Sequence, residues 1–394
     1  MISVTEARGK VINNTSSLTP VLSTLSEAAG KTLAEDVYSN VDIPAFDQSS
    51  MDGYAFSFSD WKSNQILPIK GELAAGSNDV AGLSPGHAVR IFTGAAVPAG
   101  ADTVVMQEKT KIENDRLAIA DENIVPGLNV RAKGSEIRSG ELAIAKDSSL
   151  TPAAIGFLAS IGRTEVLIYP YPSISIIVTG NELQVPGSQL QPGQVYESNS
   201  FSLMAALRQL HFDDVKVYKA EDRLETVTQI LKKALQQSDI VFLTGGVSVG
   251  DYDFVATAAA QNGIEKIFHK IKQRPGKPLY FGKLDNKLIF GLPGNPASVL
   301  TCFYEYAEPA LKKMVKQKTG IQVVQAQLAG PLKKAAGLTH FLKGYFDGKI
   351  VTALHGQESF RLSSFAKANC LIKIGEEVTV CDKGEPVEVH LLPF

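Results

Sequence analysis

The sequence has 394 residues, of which 44% are hydrophobic and 20% are charged, and its formal net charge is −2. Such a chain exceeds the roughly 250 to 300 residues at which a single hydrophobic core stops growing, so we expect several domains. The composition is that of a globular rather than a disordered protein. A nearly neutral chain without a basic stretch gives no indication of a nucleic-acid partner, and a small-molecule site is favoured.

Targeting and cysteine patterns point to an intracellular protein. Charged residues in the first fourteen positions interrupt the apolar core that a secretory signal needs. No apolar run approaches the ~20 residues of a membrane span. The three cysteines lie far apart without a C-x-x-C pair, which disfavours a disulfide framework and a cysteine zinc site. We therefore predict a cytoplasmic protein with no membrane contact.

The sequence pattern of the first 170 residues changes twice, from helix-like to strand-like and back. Periodic apolar positions predict helix over residues 3–30, with Gly30 near its end. Short β-branched runs between Pro and Gly turns then predict a small β-rich domain over about 43–140. The segment 151–162 is predicted to be helical again, because Thr151 is a good N-cap and Pro152 suits the first helical position.

Residues 171 to about 318 alternate regularly between strand and helix patterns. Such alternation predicts β-α-β units and a parallel sheet covered on both faces. The predicted strands are "SISIIVTG", "DVKVYKA", "DIVFLTGG" and "KLIFGLPGN". The last ~70 residues predict a small β-barrel or sandwich, with hairpin turns such as Asp347-Gly348. The fold class is multidomain α/β plus β.

Ligands of such sheets bind outside the carboxyl ends of the strands. One of these ends carries "TGGVSVGDYDF", residues 244–254. Its glycines permit positive φ and let main-chain N–H groups face an anion at the start of a helix. Its aspartates suggest that a cation accompanies the anion. A tight strand-to-helix turn with solvated aspartates explains the same pattern. The residues concerned are Gly245, Gly246, Ser248, Gly250, Asp251 and Asp253.

Two further turns strengthen the binding interpretation. Arg274 and Lys277 flank the Pro-Gly turn of "QRPGKPLYFG", and such cations suit a phosphate bridged by Mg²⁺. The turn "GLPGNPAS" is braced by two prolines, which would hold backbone donors rigidly against a polar ligand. Simple helix entry is the alternative for this turn. Its candidate binding residues are Pro293, Gly294, Asn295, Pro296 and Ser298.

Polar clusters in the β-rich region are less specific. Asp52 lies in "AFDQSSMDGYAF" and Thr93 follows the strand-like "VRIF". An ordinary Asx or type I turn explains the first cluster equally well. Arg131 and Glu136 lie in the charged stretch "NVRAKGSEIRSGE", for which a solvated loop is the simpler interpretation.

The motifs taken together resemble the MoeA family of molybdopterin molybdenumtransferases, related to the E domain of gephyrin. The resemblance spans nearly the whole chain and consists of motifs in a fixed order: "MDGYA", "IFTGAAVPAGADTVV", "VRAKGSEI", "TGNEL", "TGGVSVGDYD", "RPGKP" and "GLPGNPAS". This sequence departs from the family pattern in places. It has "DQSSMDGYA" for the common "DNSAMDGYA", Gly134-Ser135-Glu136 for Gly-Glu-Asp, and Arg274 where many members have lysine.

The resemblance implies a homodimer of four-domain subunits. The domains are a discontinuous linker (1–42 and 141–170), a β-rich domain (43–140), a molybdopterin-binding α/β domain (171–320) and a C-terminal β-barrel (321–394). It also implies the reaction: adenylylated molybdopterin and molybdate give molybdenum cofactor and AMP, with Mg²⁺ as cofactor. An upstream molybdopterin adenylyltransferase would be a partner. A scaffold that binds molybdopterin without turnover, or an adenylyltransferase, is the alternative.

Functional roles are carried over position by position. The resemblance implies catalytic roles for Asp52, Thr93, Glu182, Asp222, Asp253, Lys270 and Arg274, and cofactor contacts for Arg131, Glu136, Pro293 and Pro296. Lys277 is a further predicted cofactor contact, from its place in the Pro-Gly turn. Asp52 and Thr93 would act across the dimer interface. Asp251, Asp253 and Glu182, with Asp222 as a further candidate, are the expected Mg²⁺ ligands. Molybdate would bind Arg274, Lys277 and Ser298, and the soft sulfur ligands come from the substrate.

Overall fold

The computed structural model describes residues 1–77, 81–246, 254–318 and 320–393. Over these residues the chain divides into two compact units, Met1–Val21 with Tyr169–Phe394, and Leu22–Ile168. None of the helices in this described part combines the length and apolar character needed to cross a bilayer.

The N-terminal helix α1, Val4–Asn13, begins at the N-cap Ser3, whose side chain accepts a hydrogen bond from the Glu6 N–H. Its buried Val4, Ala7 and Val11 pack into the α/β core, whereas the sequence grouped residues 1–42 with the linker. The predicted helix over 3–30 is therefore right for Val4–Asn13 and for the short helix Leu25–Ala28, and wrong for the residues between them. The residue before Pro20 is biased away from helix, and Val21–Thr24 is a strand.

The unit Leu22–Ile168 is built mainly from short strands. Its large sheet has the strand order β8 (Thr103–Met106), β5 (Gly53–Phe56), β7 (Ala88–Ile91), β6 (Ile66–Leu73), β10 (Arg116–Ile119) and β9 (Thr110–Glu113). This agrees with the predicted β-rich domain. The predicted helix after Thr151 is confirmed, and the Thr151 side chain accepts from the Ala154 N–H. The elements, including the boundary strands, are β1 Val21–Thr24, α2 Leu25–Ala28, β2 Thr32–Leu33, β3 Val37–Tyr38, β4 Gln48–Ser49, β5 Gly53–Phe56, α3 Phe58–Asn64, β6 Ile66–Leu73, β7 Ala88–Ile91, β8 Thr103–Met106, a 3₁₀ turn Gln107–Lys109, β9 Thr110–Glu113, β10 Arg116–Ile119, β11 Val130–Arg131, β12 Leu142–Ile144, α4 Pro152–Ser160 and β13 Glu165–Tyr169.

The α/β part of the other unit contains a mixed sheet with the strand order β17 (Val215–Ala220), β14 (Ile174–Thr179), β18 (Ile240–Thr244), β22 (Lys287–Leu292), β21 (Tyr280–Leu284) and β19 (Glu265–His269). The strands from β17 to β22 in this order are parallel, as predicted, and β21 is antiparallel to both of its neighbours. The elements are β14 Ile174–Thr179, β15 Leu183–Gln184, β16 Val195–Tyr196, α5 Asn199–Gln209, β17 Val215–Ala220, α6 Leu224–Gln237, β18 Ile240–Thr244, α7 Phe254–Gln261, β19 Glu265–His269, β20 Gln273–Arg274, β21 Tyr280–Leu284, β22 Lys287–Leu292, α8 Pro296–Cys302, a π-helical segment Phe303–Ala307, and α9 Glu308–Met314.

The strands β14, β18 and β22 of this sheet are buried on both faces. Successive side chains of a strand point to opposite faces, so Ile176 and Phe242 join the core shared with α1, α5 and α8. Their neighbours Ile177 and Leu243 join the core beneath α6 and α7. Burial on both faces explains why these strands read as continuous apolar runs.

The C-terminal strands pair in the order β25 (Thr339–Phe346), β26 (Ile350–Ala353), β23 (Val323–Leu328), β29 (Pro386–Leu391) and β27 (Cys370–Ile374), and β27 pairs again with β25, which closes a barrel. The predicted turn at Asp347 is confirmed, since its carboxylate accepts from the N–H groups of Lys349 and Ile350. The elements are β23 Val323–Leu328, β24 Leu332–Lys333, β25 Thr339–Phe346, β26 Ile350–Ala353, α10 Leu362–Phe365, β27 Cys370–Ile374, β28 Val380–Cys381 and β29 Pro386–Leu391.

Candidate active site

The parallel strands end level with one another. Thr179 of β14 pairs with Ala220 of β17, and Thr244 of β18 pairs with Leu292 of β22. The segments that follow these strands therefore emerge along one edge of the sheet. The sequence "TGNEL", Asp222, Gly245-Gly246 and "GLPGNPAS" are brought together there, as the rule for open α/β sheets predicts.

Gly245 has a structural reason to be glycine. Its φ is +87°, and a Cβ at this position would lie 2.5 Å from the Thr179 carbonyl oxygen. Gly246 also has positive φ, at +63°. The ends of β14 and β18 can approach this closely only without a side chain at position 245, so the predicted positive-φ backbone is confirmed at both glycines.

A cleft of about 1010 Å³ opens at this edge of the sheet. The strand-end segments form one wall of the cleft and residues Gln357 to Phe360 of the barrel form another. Many predicted site residues line it: Glu182, Asp222, Gly245, Gly246, Arg274, Lys277, Pro293, Gly294, Asn295, Pro296 and Ser298. Its size suits a large small-molecule ligand, since ligand pockets span roughly 300 to 1,000 Å³.

The turn that carries Arg274 and Lys277 rests on a buried hydrogen-bond network. The Tyr306 hydroxyl donates to Gln273 Oε1 at 2.6 Å, and Gln273 Nε2 donates to the Pro275 carbonyl oxygen at 2.8 Å. Burial raises the pKa of the Tyr306 hydroxyl above its ordinary value, which keeps it protonated as a donor. Arg274 and Lys277 are themselves exposed in the cleft, where cations can bind an anionic ligand.

The "GLPGNPAS" turn is fixed from both sides. Asn199 Nδ2 donates to the Gly294 carbonyl oxygen, and Asn295 Nδ2 donates to the Ser359 hydroxyl, each at 2.9 Å. Asn295 is the N-cap of α8, which begins at Pro296. Within the described residues, the buried Asn199 Oδ1 and Thr244 Oγ1 have no hydrogen-bond partner. Buried polar atoms are usually paired, and Asn199 lines the cleft, so its Oδ1 is a candidate for a ligand contact.

Carboxylates are the expected ligands of the predicted Mg²⁺. Glu182 and Asp222 line the cleft, and the Asp222 N–H donates to Asn181 Oδ1. Asp251, Asp253, Ser248 and Gly250 lie outside the described residues. In the described part, no cluster of three or more His, Cys, Asp or Glu could hold a metal ion. The oxygen donors present fit a Mg²⁺ held by one or two carboxylates with substrate phosphates and water.

Lys270 directly follows β19, which ends at His269, and is not among the described residues that line the cleft. It adopts φ +72°, and its main-chain N–H donates to the Leu279 carbonyl oxygen. The cleft thus gathers most of the predicted strand-end residues but not this lysine.

The remaining predicted residues belong to the unit Leu22–Ile168. The Thr93 N–H and hydroxyl donate to the same oxygen of Asp52, at 2.8 and 2.7 Å. These hydrogen bonds, the main-chain one above all, lower the pKa of Asp52 below its ordinary value. Arg131 of β11 pairs with Gln48 of β4, and the Glu136 N–H donates to the Ile43 carbonyl oxygen. The structure therefore pairs Asp52 with Thr93 and leaves Arg131 and Glu136 exposed.

The sequence missed the barrel wall of the cleft. Gln357, Ser359 and Phe360 line it, and they are held by Lys343, whose ammonium donates to the Gly356 carbonyl oxygen at 2.7 Å. The only sequence signal is a lysine inside the strand-like run "THFLKGYF". A lysine there is buried only if it is paired.

Comparison with known proteins shows which family has this arrangement of domains. The chain matches the MoeA N-terminal region (domain I and II) over residues 2–162, a probable molybdopterin binding domain over 175–313, and the MoeA C-terminal region (domain IV) over 325–392. A molybdopterin-binding type of α/β domain, preceded by β-rich segments and followed by a barrel, defines a class of molybdenum cofactor biosynthesis proteins.

Full-length relatives narrow the class. The chain is 35% identical over 402 residues to a molybdopterin molybdenumtransferase of Haemophilus influenzae, covering 100% of this chain and 99% of the relative. It is 34% identical to one of a Nostoc species, covering 93% and 87%. A crystal structure of a molybdopterin biosynthesis MoeA protein from Pyrococcus horikoshii superimposes with a TM-score of 0.86 at 30% identity, covering 99% of both chains. The chain belongs to the MoeA family, and the curated relatives named here are transferases.

Proposed function

We propose that this protein is a molybdopterin molybdenumtransferase that converts adenylylated molybdopterin and molybdate into molybdenum cofactor and AMP. The observation that carries the proposal is the cleft, where carboxylates, cations and positive-φ glycines meet at the ends of parallel strands. The names of full-length relatives support the same reaction class.

The proposed reaction breaks the phosphoanhydride between AMP and the pterin phosphate, with one water supplying the oxygen that the cleaved phosphate takes up and AMP as the leaving group. Molybdenum binds the dithiolene as two Mo–S bonds form, and one molybdate oxygen leaves as water with the two thiol protons. Negative charge grows on phosphate oxygens as the phosphoanhydride breaks. Arg274 and Lys277, exposed on the buried Tyr306–Gln273 support, would neutralise that charge. Glu182 and Asp222 would hold Mg²⁺, with Asp251 and Asp253 as further proposed ligands. Bound Mg²⁺ supplies Lewis-acid stabilisation of the phosphate oxygens.

The part of molybdate in the site follows from its charge. As an oxyanion it favours cationic and N–H or O–H donors, and we assign it to Arg274, Lys277 and Ser298. The dithiolene sulfurs of the pterin supply the soft ligands for molybdenum. The chain itself therefore needs no cysteine at the site, and the pKa of the buried Cys302 thiol is raised by its burial, which suits an inert side chain.

We also propose a homodimer in which Asp52 and Thr93 of each subunit serve the site of the other. The paired hydrogen bonds of Asp52 and Thr93 hold that carboxylate ionised and oriented. Sedimentation equilibrium tests the dimer, and a monomer at micromolar concentration with full activity would refute it.

The deciding experiment incubates the protein with adenylylated molybdopterin and Mg²⁺, with and without molybdate, and measures AMP. Release that requires molybdate supports the transferase. Unchanged substrate in both reactions would instead support a molybdopterin-binding scaffold. Pyrophosphate release from ATP and free molybdopterin would support an adenylyltransferase.

A further inference from the structure

Phe360 is an exposed aromatic side chain in the wall of the cleft. It is 62% exposed and lines the cleft together with Ser359 and Glu358. Single exposed apolar residues are common on protein surfaces and need no explanation by themselves. What sets Phe360 apart is the extent to which its loop, residues 354–361, is fixed.

Lys343 of β25 organises this loop from beneath. Its residue is only 3% exposed, and its ammonium donates to the carbonyl oxygens of Gly356, Glu358 and Arg361 at 2.7, 3.2 and 3.1 Å. Its main chain exchanges hydrogen bonds with the Gln357 side chain, which also donates to the Leu354 carbonyl oxygen. Burial of a lysine ammonium costs free energy unless its N–H donors are hydrogen-bonded. All three acceptors of the Lys343 ammonium are carbonyl oxygens of this one loop.

The loop is also tied to the opposite wall. The Ala297 N–H donates to the Ser359 carbonyl oxygen at 3.0 Å, and Asn295 donates to the Ser359 hydroxyl. These contacts set the position of Phe360 relative to the "GLPGNPAS" turn. A side chain placed this firmly loses little further conformational freedom when a ligand arrives.

The orientation of the ring has its own support. The Arg361 guanidinium lies 5.7 Å from the centroid of the Phe360 ring, within the range of a cation–π contact. Arg361 Nε is in turn 2.8 Å from a Glu358 carboxylate oxygen. The ring is thus braced by its own loop while most of it stays open to the cleft.

We infer that Phe360 is a stacking platform for a flat heterocyclic ring of the substrate, with Lys343 as the residue that positions it. The inference rests on the proposed function, since adenylylated molybdopterin carries both a pterin and an adenine ring. Stacking needs only a π-face, so either ring suits the chemistry. The platform would bind the ring and leave bond breaking to the strand-end wall.

A fluorescence experiment tests the contact without requiring turnover. The sequence has a single tryptophan, Trp61, so Phe360→Trp adds one reporter to a known background. Tyr345→Trp is the matched control, because Tyr345 is 52% exposed on the barrel and is not among the described residues of the cleft. The probes are pterin-6-carboxylate and AMP. Quenching of tryptophan fluorescence in Phe360→Trp but not in Tyr345→Trp supports the platform. The probe that causes the quenching shows whether the pterin or the adenine ring stacks there. No quenching by either probe would overturn it.

Steady-state kinetics provide the second readout. Phe360→Ala should raise the KM for adenylylated molybdopterin roughly tenfold, the loss expected for one base–aromatic stack, while kcat changes less than twofold. Phe360→Tyr should restore the wild-type KM. An unchanged KM in Phe360→Ala would overturn the inference. If the wild-type protein releases no AMP, the proposed function fails, and the fluorescence result still decides whether Phe360 stacks.

Discussion

The two walls of the cleft are held in place by different means. The strand-end wall is held by its backbone: Gly245 approaches Thr179 closely, and prolines flank Gly294-Asn295. The barrel wall is held by one side chain, that of Lys343, which bonds carbonyl oxygens along the loop. The first wall should therefore be sensitive to an added Cβ, and the second to the loss of a single charged group.

The largest effect on stability is expected from Lys343→Met. Methionine fills similar space but leaves the carbonyl oxygens of the loop without their donor, so the free energy of unfolding should fall by about 3 kcal/mol. Urea denaturation measures this change. Lys349→Met, on the exposed turn after Asp347, is the control and should stay within about 0.5 kcal/mol of wild type. Equal stabilities for the two variants would show that Lys343 does not hold the loop.

Glu182→Gln should impair the chemistry of the strand-end wall while leaving the fold intact. Loss of the carboxylate removes a proposed Mg²⁺ ligand, and AMP release should slow by roughly 10²-fold. Stopped-time AMP assays at saturating substrate measure kcat directly. Glu265→Gln, an exposed carboxylate on β19 that pairs with Lys283, should retain wild-type turnover. Near-normal turnover in Glu182→Gln would remove this residue from the site.

Gly245→Ala tests the close backbone approach in the strand-end wall. At φ +87° with the Thr179 oxygen 2.5 Å from the new Cβ, alanine combines strain with a clash, and we expect a loss of about 2 kcal/mol. Gly263→Ala is the matched control because Gly263 has φ +74° but open space around its Cβ position. It should lose only about 1 kcal/mol. Equal losses at the two positions would mean that the approach of the strands is not constrained.

The smallest effect concerns the link between the walls. A double-mutant cycle with Asn295→Ala and Ser359→Ala should give a coupling energy of about 0.5 to 1 kcal/mol, the usual net value of one hydrogen bond. Denaturation midpoints of the single and double variants supply the cycle. Additive losses would indicate that the Asn295–Ser359 side-chain hydrogen bond contributes no coupling beyond the main-chain hydrogen bond from Ala297 to Ser359.

The strand-end wall was largely predictable from sequence, and the barrel wall was not. Apolar runs bounded by Gly and Pro identify β14, β18 and β22, and parallel strands bring their carboxyl ends together by necessity. The barrel loop reaches the cleft through contacts such as Asn295 to Ser359, 64 residues apart. No local pattern encodes such a contact.

Two other differences have similar causes. The strands β19 and β21 were missed because the Pro-Gly turn at 275–276 dominates the local pattern, while their pairing partners are set by the sheet. The segment Val21–Thr24 has apolar spacing compatible with a helix, yet it pairs in the sheet β1-β13-β2. Tertiary pairing overrides weak local preference in both places.

The most direct test of the cleft as the reaction site is a crystal structure of the protein with its proposed product AMP. We predict that AMP lies between Gly245-Gly246 and the barrel loop, with its phosphate within hydrogen-bonding distance of Arg274 or Lys277. AMP bound elsewhere on the protein, at full occupancy and with this cleft empty, would contradict the assignment.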